Sequence, residues 1–540
     1  MFNFQITPLG NLFFGLTLAV FISLFFIREE KQNNTLLELL LLASLGVIFY
    51  ANDLITLFIG WEVMSWSSYF IIAKTAKEQT RQKYIIFNLG AGFALLGAVV
   101  LITSYSGMVL YSEIDFNTVP SSLHLPITLL LLVTIFIKSG VMPLHHWVVD
   151  TYQESNHLFS AILSAIISKA GIFLFILLFT KIIGYQYLQS SLFDIVAWLG
   201  VITSIIATFK AINQDSMKRL LAYSSIAQLG YIITVLAVLN GSGIESALYH
   251  TVIHTFIKLL LFVNIASIIY ITGKDKFSEL GGLIYHYPLL FILLVIGIIG
   301  LAGMPPLGGF NGKFLIYSTL LEDKKALLLT AVMFSSASAF LYCYKLVYGI
   351  YLGQPTHDIS TYKKVPKSYY IAQFVGAVVL LVLGAMPSLL TQFTNPILSS
   401  LELNSTVISS LFVMDSGFAS FNGGAIMSIF ILIFALLFII LYRLKNRTKE
   451  VNNRLDISYC GEVPNPKNNL HFGYGIGEEL RRISFVKLIL NNSSQPYWQH
   501  IATITKDSSL LLKNLYSSSI QNIGLVSIIF FVILLFIGVK

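Results

Sequence analysis

About fourteen stretches of this chain are apolar over roughly the twenty residues that a helix needs to cross a 30 Å hydrocarbon layer. They fall at 9–27, 36–51, 53–73, 84–104, 126–142, 158–180, 193–212, 218–239, 246–272, 288–321, 326–350, 369–390, 422–442 and 523–539. In lipid every backbone polar group must be satisfied within the segment, so runs of this kind fold as helices. The expectation is an all-α polytopic membrane protein. Composition agrees, because only 11% of the 540 residues are charged, against roughly a quarter in soluble domains. The first run lacks a basic start and a small-residue cleavage site and is read as a retained helix.

The formal net charge of +8 could suggest nucleic acid, but the basic residues are arranged by topology. With the N-terminus outside, 25 of the 34 Lys and Arg fall in the connections 28–35, 74–83, 143–157, 210–219, 273–287, 353–368 and 443–522. Only Lys181, Lys324, Lys325 and Lys540 fall on the other side. Lys and Arg favour cytoplasmic loops, so both termini are expected outside the cytoplasmic membrane. Nucleic acid is not an expected partner. The Lys324–Lys325 pair is the weak spot in this count.

Several ionisable residues lie inside the runs, where they are costly and mark ion or proton routes. The stretch 245–270 carries His250, His254 and Lys258 at i, i+4, i+8, one stripe of a helix covering about 12 Å of depth. One such histidine would be read as a core residue bonding across helices. Three titratable groups in register read as a relay. In F-I-G-W-E-V-M-S-W, Glu62 sits well inside the third span and needs a basic partner to remain charged at that depth. Lys138 in F-I-K-S-G-V-M-P-L-H-H-W is a candidate, followed at once by Gly140 and Pro143, which break a helix. G-L-A-G-M-P-P-L-G-G-F-N-G-K repeats the construction, with Pro305 and Pro306 before Lys313. Two broken helices five spans apart suggest an inverted repeat, the arrangement that places transport sites at discontinuous helices.

Lys169 in the sixth span is too deep to reach water and bridges the two breaks. Lys218 and Arg219 read as solvated cytoplasmic anchors, and Lys345 as a lysine snorkelling to a helix end. His145 and His146 lack the further ligands a metal site needs. The two cysteines, Cys343 and Cys460, are too few and too distant for an iron–sulfur cluster, a haem attachment or a zinc site. No cofactor and no metal is therefore expected in this chain.

The domain reading is an N-terminal helix over 1–35, one repeat over 36–180, a second over 193–350, further helices over 351–442, a cytoplasmic or membrane-surface segment over 443–522 and a last helix over 523–540. Part of 443–522, from W-Q-H-I onward, has helical patterning suited to a membrane surface. Y-C-G-E at 459–462 and G-Y-G-I-G at 473–477 follow no membrane pattern, and the glycines do not form a dinucleotide site.

These motifs resemble the antiporter-like subunits shared by respiratory complex I, Mrp-type cation/proton antiporters and energy-converting membrane-bound hydrogenases. The resemblance rests on W-E-V-M-S-W at 61–66, F-I-K-S-G-V-M-P-L-H-H-W at 136–147, D-S-M-K-R-L-L-A-Y-S-S-I at 215–226, Y-H-T-V-I-H-T-F-I-K at 249–258 and G-M-P-P-L-G-G-F-N-G-K at 303–313. It implies two inverted five-helix repeats, each with a broken helix, around a hydrated proton path at the membrane midplane. It pairs Glu62 with Lys138, continues through Lys169 to His250, His254 and Lys258, and ends at Lys313. Two spans precede the W-E helix where the family has about four, so two N-terminal helices are expected to be missing. The tail looks closest to formate-hydrogenlyase-type hydrogenase subunits and is also similar to the distal pumping subunit of complex I.

The expected function is a proton-translocating subunit of a redox-driven membrane complex, a hydrogenase or a quinone oxidoreductase. Its partners are other membrane subunits, including redox subunits, together with lipid and protons or Na⁺. The alternatives are one component of an Mrp-type Na⁺/H⁺ antiporter and a membrane scaffold that transports nothing.

Overall fold

A computed structural model of the protein describes residues 3–27, 35–352, 363–405 and 408–445, and in a separate unit 480, 482–491, 499–500, 503–507 and 509–510. The larger unit is predominantly helical. Its first four helices are α1 (Pro8–Phe25), α2 (Thr35–Tyr50), α3 (Leu54–Ala73) and α4 (Glu78–Ser106). Their starts follow from local chemistry. Thr7 caps α1, its hydroxyl accepting from Gly10 N at 3.0 Å with Pro8 in the first turn, where a missing N–H costs nothing. The Asp53 carboxylate caps α3, accepting from Thr56 N at 2.7 Å.

The fifth span is broken. Helix α5 (Ser121–Ser139) stops at Gly140, whose φ of +69° places it in the left-handed region, open to glycine without a Cβ clash. Val141 N reaches back to Phe136 O at 2.9 Å, closing a Schellman cap. The chain passes Pro143 and restarts as α6 (His146–Glu154). The tenth span ends its first half identically. Helix α12 (Pro288–Ala302) stops at Gly303 with φ +74°, Met304 N returns to Ile299 O at 3.1 Å, and after Pro305 and Pro306 the chain restarts as α13 (Gly308–Glu322).

The sixth span, expected continuous, is interrupted too. Helix α7 (His157–Ala165) gives way to a 3₁₀ turn over Ile167–Lys169, then α8 (Ala170–Ile176) and a wider π-helical turn over Leu177–Ile183. Lys169 therefore sits at a break. Helices α9 (Ser190–Ile212) and α10 (Met217–Leu236) lead to the centre of the molecule, α11 (Gly241–Thr272). Its 32 residues correspond to about 48 Å, and nearly all are buried against α7, α10, α12, α13 and a later helix, α15.

The remaining helices are α14 (Ala326–Ile350), α15 (Lys367–Ala385), α16 (Ser388–Ser400) and α17 (Gly423–Lys445). Between α16 and α17 lies an antiparallel meander, β1 (Ile408–Ser409), β2 (Val413–Asp415) and β3 (Ser420–Asn422), with Met414 opposite Phe421. Neither α16 nor the meander is legible in the hydropathy, since strands of two or three residues have no period to detect. Among the described residues, eleven helical segments are long and apolar enough to cross a membrane, with Thr35–Tyr50 and Pro288–Ala302 as shorter apolar helices. The first thirteen expected spans each have a helical counterpart here, and the protein is a multi-pass integral membrane protein. The span at 523–539 and the motifs at 459–462 and 473–477 lie outside the described residues. In the separate unit, α18 (Ser484–Asn491) is a short amphipathic helix.

Candidate functional site

The geometry around Lys138 differs from a simple ion pair. Among the described residues, no carboxylate lies within the 4.0 Å of an ion pair to its ammonium nitrogen. Lys138 Nζ donates to Asn88 Oδ1 of α4 at 2.9 Å and stands 5.2 Å from the centre of the Trp61 ring. Both the amide oxygen and the ring face suit a cation. Glu62, one residue after Trp61, turns toward α4 beside Gly92, where a Cβ would fall 2.0 Å from Glu62 Oε1. That buried oxygen accepts no hydrogen bond from any described residue. The acid and the lysine face the same interior across a gap, with Asn88 and Trp61 holding the lysine in between.

Lys169 Nζ donates to the carbonyl of Ser164, which the break after α7 leaves without a helical donor. The Ser164 hydroxyl meets Ser225 Oγ of α10 at 2.7 Å, and Ser225 Oγ donates to Leu221 O at 2.8 Å. Lys258 Nζ on α11 donates to that same Leu221 O at 3.2 Å and to Ser224 Oγ at 2.7 Å. Lys169 and Lys258 thus share one serine cluster. Above Lys258 along α11, the rings of His254 and His250 lie nearly parallel, 7° apart in tilt, with centres 6.3 Å apart. His250 Nε2 is 2.8 Å from Gln228 Oε1. His250 Nδ1 and both His254 nitrogens are buried with no hydrogen-bond partner among the described residues.

Lys313 Nζ donates to Ala302 O and to Ser336 Oγ, each at 2.7 Å. Ala302 is the last residue of α12, so the broken helix supplies the carbonyl that holds its own lysine. Gly303 makes room for this side chain, since a Cβ there would fall 2.4 Å from Lys313 Cδ. Lys138, Lys169, His250, His254, Lys258 and Lys313 are all almost wholly buried, and they run in succession through the contacts of α5, α7, α10, α11 and α13.

Two lysines are placed differently from the sequence expectation. Lys218 is not a solvated anchor: it is 2% exposed and donates to Ser155 O at 2.6 Å, at the end of α6, with His157 Nδ1 3.4 Å away. Its neighbour Arg219 pairs with Asp150 at 3.1 Å, and Asp150 also binds Lys83 at 2.8 Å. Lys345 does not snorkel: it is 2% exposed, donates to Ile212 O at 3.1 Å and lies over Phe277. A helix C-terminus offers spare carbonyls, and in both cases these outcompete the longer reach to water. Lys325, half of the outlying basic pair, is neutralised by Asp194 at 2.6 Å. Asn88, Gln228 and the serines at 164, 224 and 225 were missed because a short polar residue in an apolar helix carries no pattern. Only their proximity to lysines singles them out.

Fold and site together define a polytopic membrane protein with interrupted helices and a buried row of titratable side chains. The family described as NADH:quinone oxidoreductase/Mrp antiporter, transmembrane region, matches residues 51–340, and the chain belongs to that family. It is 28% identical over 366 residues to NADH-quinone oxidoreductase subunit N of Geotalea uraniireducens, covering 66% of this chain and 76% of that protein. It is 27% identical over 429 residues to a Na⁺/H⁺ antiporter subunit of Alkalihalophilus pseudofirmus, covering 72% of this chain but only 52% of that longer protein. Among solved structures, a chain of the membrane-bound sulfane sulfur reductase, an archaeal respiratory membrane complex, superposes with a TM-score of 0.88 at 28% identity, over 98% of this chain and 89% of that one.

Proposed function

We propose that the chain is a proton-translocating subunit of a redox-driven respiratory membrane complex and that Glu62, Lys138, Lys169, Lys258, His254, His250 and Lys313 form its path. One observation carries this reading: among the described residues, the buried row hydrogen-bonds its lysines to neutral oxygens and leaves three of its four histidine nitrogens, His250 Nδ1 and both of His254, without a partner. A structural polar cluster in the same protein looks different. Asn264 donates to Leu290 O at 2.9 Å and to Gln373 Oε1 at 2.8 Å and accepts from Tyr351 at 3.2 Å. It is satisfied on every side, as buried polar groups normally are. Unfilled capacity on His250, His254 and Glu62 is where water completes a chain for protons.

The chemistry follows from burial and charge. Desolvation makes an ammonium easier to deprotonate, and a nearby carboxylate reverses that. Motion of Glu62 across its gap toward Lys138 therefore sets whether the lysine keeps its proton or passes it toward Lys169. One unit charge brought to about 4 Å at an effective dielectric of ~20 changes the energy by up to about 4 kcal/mol, enough to shift a proton equilibrium by about three decades. The energy for that motion comes from partner subunits, the redox subunit included. The Lys/Arg bias of the connections supports an orientation with the N-terminus outside.

The test is proton uptake by sealed vesicles carrying the intact complex, with electron transfer measured in parallel. Lys138→Ala and Lys313→Ala in assembled complex are expected to abolish uptake. Uptake at the wild-type rate in both variants would refute the path. Uptake that follows a Na⁺ gradient without electron transfer would instead favour the antiporter reading.

A further inference from the structure

The stripe of α11 that carries Lys258, His254 and His250 continues at the same four-residue spacing through Ser246 to Ser242 in the first turn. From His250 onward these residues face α13. His250 lies against Gly312, where a Cβ would fall 2.7 Å from Nδ1. One turn further, Ser246 Oγ meets Thr319 Oγ1 at 2.7 Å, and Thr319 Oγ1 reaches Ser242 O at 3.2 Å. One more turn brings Ser242 Oγ to Glu322 Oε2 at 3.0 Å. Ser242, Ser246 and Thr319 are buried, while Glu322 is exposed at the end of α13. Beside it Asn240, the cap of α11, donates to Asp323 at 3.0 Å. The seam between α11 and α13 is thus polar from the midpoint of the molecule to its surface.

We infer that this seam is the release route, along which a proton passes from His250 over Ser246, Thr319 and Ser242 to Glu322. This rests on the proposed proton path and assigns it an exit. A proton leaves His250 Nδ1 for a water molecule that spans the one turn, about 5.4 Å, separating it from Ser246. Each hydroxyl takes up one proton as it gives its own to the next acceptor. The Ser242 carbonyl that Thr319 bonds cannot pass a proton on, so a second water molecule carries it from Thr319 Oγ1 to the Ser242 hydroxyl, which hands it to Glu322. The Glu322 carboxylate receives the proton and releases it to bulk water. Nothing is oxidised or reduced. Gly312 belongs to the route because any side chain there would press on the ring that starts it.

The experiment compares Thr319→Val, which keeps the shape and removes the hydroxyl, with Thr319→Ser, which restores it, in the intact complex in sealed vesicles. His254→Gln serves as the reference for the path itself. Proton translocation in Thr319→Val is expected to fall about a hundredfold, the lower end of what a positioned proton carrier contributes, and to return in Thr319→Ser. If Thr319→Val does not assemble, Ser246→Ala against Ser246→Thr makes the same comparison. Wild-type translocation in Thr319→Val and Ser246→Ala, with His254→Gln inactive, overturns the exit route and leaves the path standing. If His254→Gln also translocates normally, the path reading itself falls.

Discussion

The side-chain nitrogen of Lys138 is held by an amide oxygen and an indole face, so Asn88 should matter as much as the more conspicuous Glu62. Replacing it by leucine removes a hydrogen bond to a buried lysine, worth about 1.5–3 kcal/mol when the group is charged. Asn88→Leu is expected to depress proton translocation as Lys138→Ala does and to lower the thermal stability of the complex, read by its melting temperature. Normal translocation would remove Asn88 from the site. Gly92→Ala tests the other side of the gap: its Cβ would fall 2.0 Å from Glu62 Oε1, so Glu62 must shift. Translocation is expected to fall several-fold with assembly intact, and an unchanged rate would mean that the position of Glu62 is not critical.

Among the elements, the broken helices were legible because their signal is local: glycine and proline beside a lysine state both the stop and the charge. The break at Lys169 was not, since A-I-I-S-K-A-G contains a single glycine and its hydropathy fits an unbroken helix. What opens it is tertiary, the Ser164 carbonyl drawn to the lysine and Thr255 Oγ1 of α11 donating to Ala165 O at 3.1 Å. Lys218 was misplaced for a related reason. Sequence position puts it beside Arg219 at a helix start, and only the fold brings the end of α6 within reach. Lys218→Met should leave Ser155 O without that donor, at a cost of about 1–3 kcal/mol. The expected outcome is a lower melting temperature with the ratio of protons to electrons unchanged. A changed ratio would place Lys218 in the path.

At the scale of the molecule, hydropathy located every span that the described residues contain, because a bilayer sets length and polarity together. The lateral order of the helices, and hence which polar residues meet, was beyond it. Lys169 and Lys258 are 89 positions apart and share a serine cluster that no spacing announces. Helices α4, α6 and α10 are also tied together through Lys83, Asp150 and Arg219. These ion pairs are partly exposed, so each contributes at most about 1 kcal/mol. Asp150→Asn is accordingly expected to shift the melting temperature by no more than a few degrees. A loss of assembly would show that the pairs hold these three helices together.

The central claim is that the buried row carries protons, and His254 tests it most directly. Neither of its nitrogens bonds a described residue, so a change there removes no protein hydrogen bond. His254→Gln keeps a polar side chain of similar size but cannot titrate. The measurement is the number of protons translocated per electron pair by the intact complex carrying this substitution. The account predicts that the ratio falls to near zero in a complex that still assembles. An unchanged ratio would contradict it and leave the histidines as packing.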